Sequence, residues 1–323
     1  MGYALQSLGQ LAEAEQAYRH ALSCRAEDAD AWCNLGMVLN DLGRLAEAQD
    51  CYEQALRLQP ESVTAYNNLG VTLSMAGKFE PALACLRRSI EINPQLAQSH
   101  CNLGLRLHEM GLLTAAEQSI RRALALNPEF AVAHSSLGNV LKDWGRLDEA
   151  QACYRQALLL KPDFVNAYTN LLFTLNYQPD LSAEQIFAEY RGFESTQCLS
   201  FKKDWRAHGN HRALDRRLKV GYVAATFFNH SCRYFLEPLL ARHDKSAVEV
   251  YLYAQQTRTD ALTERYQRYA DHWLPTVGLS DAALAERIRA DGIDVLIDIA
   301  GHTRNNRLLV FARKPASNSQ FIN

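Results

Sequence analysis

The sequence predicts an α-helical solenoid followed by an incomplete parallel α/β layer. Two observations carry this: a 34-residue periodicity through the first half, and a strand–helix alternation that begins at Leu218. With repeats set to begin at Ala29, Val63, Ala97 and Ala131, position 7 is Leu35, Leu69, Leu103 and Leu137. Position 8 is Gly36, Gly70, Gly104 and Gly138, and position 11 is Leu39, Leu73, Leu107 and Leu141. Position 15 is Gly43, Gly77, Gly111 and Gly145, position 20 is Ala48, Ala82, Ala116 and Ala150, and position 32 is Pro60, Pro94, Pro128 and Pro162.

This pattern fits a pair of antiparallel helices per unit. The Leu positions form a buried stripe. Gly at 8 and Ala at 20 permit close approach, Gly at 15 suits a left-handed turn, and Pro at 32 closes the second helix. Gly2, Leu5, Gly9, Ala14, Tyr18 and Ala21 continue the pattern backwards, so the array is expected to begin within a repeat. Val165 to Leu175 supplies one more first helix, and Pro179 stops the periodicity. The units resemble tetratricopeptide repeats, which stack into a superhelix with a concave binding surface.

Position 6 holds Asn34, Asn68, Asn102, Ser136 and Asn170. A carboxamide offers a donor and an acceptor, so a row of them can grip a polypeptide backbone without reading side chains. The other reading is a solvated polar face. His100 and His134 stand at position 4, where other units have Trp32, Tyr66 and Tyr168, and read as half-buried ring substitutes. His208 and His211 lie in a basic stretch with Trp205, Arg206 and Arg212; the pair is weak evidence for a metal and no metal site is expected.

Residues 179–217 read as a linker, with Ser182 as a helix cap. Strand Leu218 to Val223 then leads to helix Cys232 to Arg242, and strand Val248 to Tyr253 to helix Asp260 to Tyr269. Ser280 caps helix Asp281 to Ala290, which ends at Gly292; strand Ile293 to Ile299 follows. The loop Gly301-His302-Thr303 and a helix from Asn305 to Arg313 complete a Rossmann-like alternation over 218–323. The loops after the two strong strands carry His230 and His302. A histidine there can act as a general base or hold a substrate hydroxyl, although His230 also reads as a cap or packing residue. Neither GxGxxG nor GxxxxGK occurs, which argues against a dinucleotide dehydrogenase or a P-loop enzyme.

The bulk numbers exclude little and mislead little. Lys plus Arg is 34 and Asp plus Glu is 36, for a net charge of −2, so electrostatics give no case for nucleic acid or an anionic membrane. No apolar run reaches the roughly 20 residues of a membrane span. Of eight cysteines, five recur with the repeat (Cys51, Cys85 and Cys153; Cys33 and Cys101), and the set reads as small apolar fillers, reduced in a cytoplasm.

The repeats followed by VGYV, NHS, FLEPLL, EVYLYA, ADGIDVLIDIAGHT and RLLVFARKPA resemble the O-linked N-acetylglucosamine transferase family, in its bacterial and plant Spindly-like branch. The resemblance covers almost the whole chain. It implies a GT-B fold of two Rossmann-like lobes, of which 218–323 is part of the first. It implies transfer of a sugar from UDP-GlcNAc or a related nucleotide sugar to Ser or Thr of proteins, with inversion and without a metal or other cofactor. Acceptor polypeptides would run along the repeats' concave face over an asparagine ladder matched by Asn34, Asn68, Asn102 and Asn170; Ser136 departs from it. The resemblance makes His230 an active-site residue and sets His302 and Thr303 in the cleft. Thr226 stands where the family usually has Asp. The donor-binding second lobe has no counterpart here, so the chain is expected to be a fragment without turnover of its own, its sheet edge unpaired. A scaffold that binds extended peptides is the alternative, and homodimerisation through a convex face is open.

Overall fold

The computed structural model describes residues 2–7, 10–211, 213, 215–256, 258–303 and 305–321. Gly9 and Arg212, singled out above, lie outside the described residues. The chain divides into two compact units, Met1–Gln178 and Pro179–Asn323.

The first unit is a run of helices in pairs. After α1 (Gly2–Ser7) and α2 (Leu11–Cys24) come α3 (Ala29–Asp41) with α4 (Leu45–Leu58) and α5 (Val63–Met75) with α6 (Phe79–Ile92). Then come α7 (Ala97–Glu109) with α8 (Leu113–Leu126), α9 (Ala131–Asp143) with α10 (Leu147–Leu160), and a last α11 (Val165–Leu175). Helices α4, α6, α8 and α10 each start after a glycine with φ of 76–78°: Gly43, Gly77, Gly111 and Gly145. The left-handed turn is why position 15 accepts glycine. Asp28 and Ser62 cap α3 and α5 by accepting from the amides of Ala31 and Ala65.

Glycine at position 8 has a different cause. A Cβ on Gly36, Gly70, Gly104 or Gly138 would meet Tyr52, Leu86, Ile120 or Tyr154 of the same repeat's second helix at 2.4–2.7 Å. The two helices therefore touch across a glycine–large pair, while Ala48, Ala82, Ala116 and Ala150 are fully buried beside it. Gly104 is the tightest, 2.4 Å from Ile120 Cγ1. Gly104→Ala should lower stability by about 1–3 kcal/mol through overpacking, read as a lower urea midpoint. Gly104→Ala combined with Ile120→Ala should recover less than a cavity alone would cost.

At position 4 the rings share one job. Trp32 Nε1 donates to the Ala26 carbonyl at 2.9 Å. His100 and His134 bond through Nε2 to the carbonyls of Pro94 and Pro128, at 3.0 and 2.8 Å. Each ring ties the start of one repeat to the turn that closes the previous one.

The second unit is a five-stranded, all-parallel sheet of order β3-β2-β1-β4-β5. The strands are β1 (Leu218–Ala224), β2 (Val248–Ala254), β3 (His272–Pro275), β4 (Val295–Asp298) and β5 (Asn318–Phe321). β1 pairs with β2 from Leu218↔Val248 to Ala224↔Ala254, and with β4 from Val220↔Val295 to Val223↔Asp298. One face packs α13 (Arg233–Ala241) and α14 (Ala261–Tyr269) through Leu236, Leu240, Leu262 and Tyr266. The other packs α15 (Asp281–Asp291) and α16 (Leu308–Ala312) through Leu284, Ile288, Val310 and Phe311. Helices on both faces make the layer doubly wound.

Three expectations change. Two short strands, β3 and β5, were not anticipated; β5 pairs along β4 and is itself the edge strand on that side. The last helix is shorter, starting at Leu308 because Asn305 has φ of 62°. Residues 179–217 are not a free linker: they belong to the second unit. Ser182 caps α12 (Ala183–Phe193) in a reciprocal capping box with Gln185, and a π turn (Glu194–Cys198) and a 3-10 turn (Leu199–Asp204) follow. Trp205 Nε1 donates to the Ala312 carbonyl at 2.8 Å, and Arg216 and Asn210 reach Asp294 beside β4. Tertiary hydrogen bonds of this kind leave no local signal in sequence.

Candidate active site at the switch point

In the order β3-β2-β1-β4-β5, chain direction across the sheet reverses between β1 and β4. Loops leaving the carboxyl ends of those two neighbours form the crevice where open α/β sheets bind ligands. The β1 loop carries His230; the β4 loop carries Gly301, His302 and Thr303.

The β1 loop is held from the α14 end. Asp260 caps α14, accepting from the amides of Leu262 and Thr263 at 3.0 Å, and its other oxygen accepts from the Asn229 amide at 2.8 Å. The Asn229 amide is the main reason the Asp260 carboxyl sits below its usual range. Thr263 Oγ1 donates to the Phe227 carbonyl at 2.8 Å. Thr226, where the resemblance sets an Asp, keeps its hydroxyl buried without a partner. Arg233 donates to Asn229 Oδ1 at 2.8 Å. His230 itself is exposed, and its Nδ1 accepts from the Cys232 amide at 3.4 Å. That contact favours the proton on Nε2, so the ring presents a donor outward.

The β4 loop is built on Asp298, which the sequence reading passed over. Asp298 is fully buried at the end of β4 and accepts from the amides of Gly301 and Ala300 at 2.6 and 3.2 Å. Burial pushes its carboxyl up to about 6, with those two amides pulling the other way. An acid inside the apolar run VLIDIA, three residues before a glycine, was the available signal. Gly301 has φ of 53° and turns the chain. Thr303 Oγ1 donates back to the Ala300 carbonyl at 2.6 Å. His302 packs edge-on against Tyr190 and Phe193, ring centroids 5.1 and 4.8 Å away. Burial lowers its pKa to about 4, so the ring is neutral at physiological pH. His230 and His302 share no hydrogen bond or ring contact. Their loops are neighbours, but His302 turns toward α12.

In the first unit the position-6 row divides. Asn102 accepts from Gln98 at 2.8 Å and donates to Asn67 Oδ1 at 3.4 Å; Asn170 donates to Asn139 Oδ1 at 2.9 Å. Ser136 donates to its own helix at the Val132 carbonyl. Among the described residues the Asn34 and Asn68 carboxamides have no hydrogen-bond partner, and Asn68 Nδ2 is buried. Among the described residues no three His, Cys, Asp or Glu side chains are grouped to hold a metal ion.

The family model for glycosyl transferase family 41 matches residues 182–321, and tetratricopeptide models match residues 1–49, 27–95, 97–130 and 131–164. The second unit is thus a glycosyl transferase family 41 region, and the chain as a whole is similar to protein O-GlcNAc transferases. A solved O-GlcNAc transferase mutant from Thermobaculum terrenum is 31% identical, with a TM-score of 0.73 over 80% of this chain and 50% of its own. The probable UDP-N-acetylglucosamine–peptide N-acetylglucosaminyltransferase SPINDLY of Oryza sativa is 31% identical over 151 residues, 46% of this chain and 16% of that protein. The probable enzyme SEC of Arabidopsis thaliana is 33% identical over 102 residues, 31% of this chain and 10% of that protein. The chain thus spans half of the solved O-GlcNAc transferase and about a sixth of the SPINDLY proteins it matches.

Proposed function

We propose that this chain is the acceptor-binding repeat array and first lobe of a protein O-glycosyltransferase that moves N-acetylglucosamine from UDP-GlcNAc to Ser or Thr. The observation that carries this reading is one chain in which tetratricopeptide repeats lead into a lobe matched by glycosyl transferase family 41. In the reaction the acceptor oxygen forms a bond to the sugar's anomeric carbon as the bond to UDP breaks, with inversion, and the hydroxyl proton is lost. No metal or other cofactor is assigned. His230, with a donor turned outward, orients the acceptor or donor oxygen. His302 and Thr303 shape the neighbouring turn. Acceptor polypeptides lie along the row of Asn34, Asn68, Asn102 and Asn170, of which Asn34 is free to bond at once, while Asn68 must first uncover its buried Nδ2. Asn102 and Asn170 must first exchange their internal partners.

The chain spans half of its solved relative, and we assign donor binding and turnover to the whole enzyme, not to these residues alone. We place the protein in the cytoplasm, where its eight free cysteines stay reduced; among the described residues no helix is long and apolar enough to cross a membrane. Self-association through the array is a separate expectation, read by sedimentation.

Fluorescence anisotropy with labelled Ser/Thr-containing peptides tests the reading. Asn34→Ala plus Asn68→Ala should weaken peptide binding by roughly tenfold, the loss of about two hydrogen bonds. Binding that ignores this pair would refute the ladder. A pure scaffold would show the same loss but no His230 dependence in any transfer assay.

A further inference from the structure

We propose that the second unit holds a separate binding site for a flat aromatic anion, in a cavity beside the Gly301–Thr303 turn. The cavity measures about 540 Å³, a size common for small-molecule sites. One wall is the segment from Phe187 to Trp205; the other is His302 with Leu308, Phe311 and Ala312 of α16. It lies wholly within the second unit and takes in neither His230 nor the asparagine row.

Three observations point to such a ligand. Six of the fourteen lining residues carry rings, and two of them stay wet: Phe187 is 64% and Trp205 44% exposed. Aromatic side chains left open around a concave space gain when a flat apolar body covers them. The wall includes the π turn Glu194–Cys198, a rare geometry that recurs at functional sites, and both of its end residues face the cavity. The charges are unevenly matched. Arg191 and Lys202 line the cavity with only Glu194 against them. Among the described residues Arg191 makes no ion pair, and Lys202 shares the Trp205 ring with Lys314, their Nζ atoms 5.8 and 4.9 Å from its centroid. His302 adds no charge, since burial holds its ring neutral. A surplus of positive charge beside an aromatic slot suits an anionic group on an aromatic body. A sugar nucleotide fits poorly, because apolar walls leave its hydroxyls unpaired.

The test titrates the intact chain with 8-anilinonaphthalene-1-sulfonate, and in parallel with the uncharged N-phenyl-1-naphthylamine, following fluorescence. We expect one saturable site for the sulfonate. Lys202→Gln should weaken the sulfonate by roughly fivefold, the scale of one exposed charge contact, and leave the neutral dye unchanged. Phe187→Ala, at an exposed position that folding tolerates, should weaken both. Circular dichroism checks that each variant is folded. Non-saturable binding, or binding indifferent to Phe187→Ala, would overturn the site. Equal response of both dyes to Lys202→Gln would overturn its preference for an anion.

Discussion

His230→Ala should cut glycosyl transfer by about 100-fold, the cost of losing one group that orients a reacting oxygen, while leaving peptide binding unchanged. The assay supplies the family's donor-binding lobe in cis and follows labelled N-acetylglucosamine onto a peptide. The expectation rests on geometry. β1 delivers the loop to the crevice beside β4, Asp260 pins the Asn229 amide at 2.8 Å, and the Cys232 amide occupies His230 Nδ1. A ring held in this way offers a hydrogen from Nε2 and orients an oxygen; to take a proton at Nε2 it would need the other tautomer. The pH profile therefore separates the roles. A general base gives a rising limb with pH that is lost in His230→Ala, whereas a positioning group leaves that limb in place. Full activity in His230→Ala would remove it from the site.

Asp294→Asn should destabilise the second unit by about 3–5 kcal/mol and leave the repeats' own unfolding transition in place. Asp294 is buried at the entrance to β4. Its Oδ2 accepts from Arg216 Nη1 at 2.6 Å and from the Lys219 amide at 2.9 Å. Its Oδ1 accepts from Arg216 Nη2 at 2.7 Å and from Asn210 at 2.6 Å. One carboxylate thus fastens residues 210–219 to the sheet, and breaking it strands a partly buried guanidinium. Although burial alone would raise its pKa, Arg216 and the Lys219 amide outweigh it and hold the carboxyl down at about 2. The folded value lies below the unfolded one of about 3.9. The stabilisation is therefore present above pH ~4 and is lost as pH falls toward about 2. Denaturant melts followed at Trp205 and Trp273 between those limits should show a declining midpoint in the wild type and a flatter one in Asp294→Asn. A midpoint in Asp294→Asn matching the wild type at neutral pH would contradict the latch.

How much was legible varied with how local the cause is. The repeat was readable because a left-handed turn and a helix crossing each demand glycine at a fixed place, so Gly43 and Gly36 announce themselves by recurrence. The partner of Gly36 was not readable: Tyr52, Leu86, Ile120 and Tyr154 share size but not chemistry, and only the packing reveals that they fill the same hole. Strands β1 and β2 stood out as apolar runs. His272–Pro275 and Asn318–Phe321 did not, since four residues with no clear alternation carry no periodic signal. The loops that carry His230 and His302 were legible because each follows a strong strand. Asp298 and Asp294, which set those loops and strands in place, were missed because their partners are backbone amides and an arginine dozens of residues away. The split of the asparagine row also escaped the sequence. It depends on Asn139, Asn67 and Gln98, neighbours in space that lie off the repeat position itself.

The central claim is that these residues bind acceptor polypeptide and contribute one side of a glycosyl-transfer cleft. Calorimetric titration of the folded chain tests it most directly, with UDP-GlcNAc in one arm and a Ser/Thr-containing peptide in the other. The account predicts saturable heat from the peptide, lost on Asn34→Ala plus Asn68→Ala, and none from the nucleotide sugar. One-to-one binding of UDP-GlcNAc with no binding of peptide would contradict it, and would move the donor site into residues 179–321.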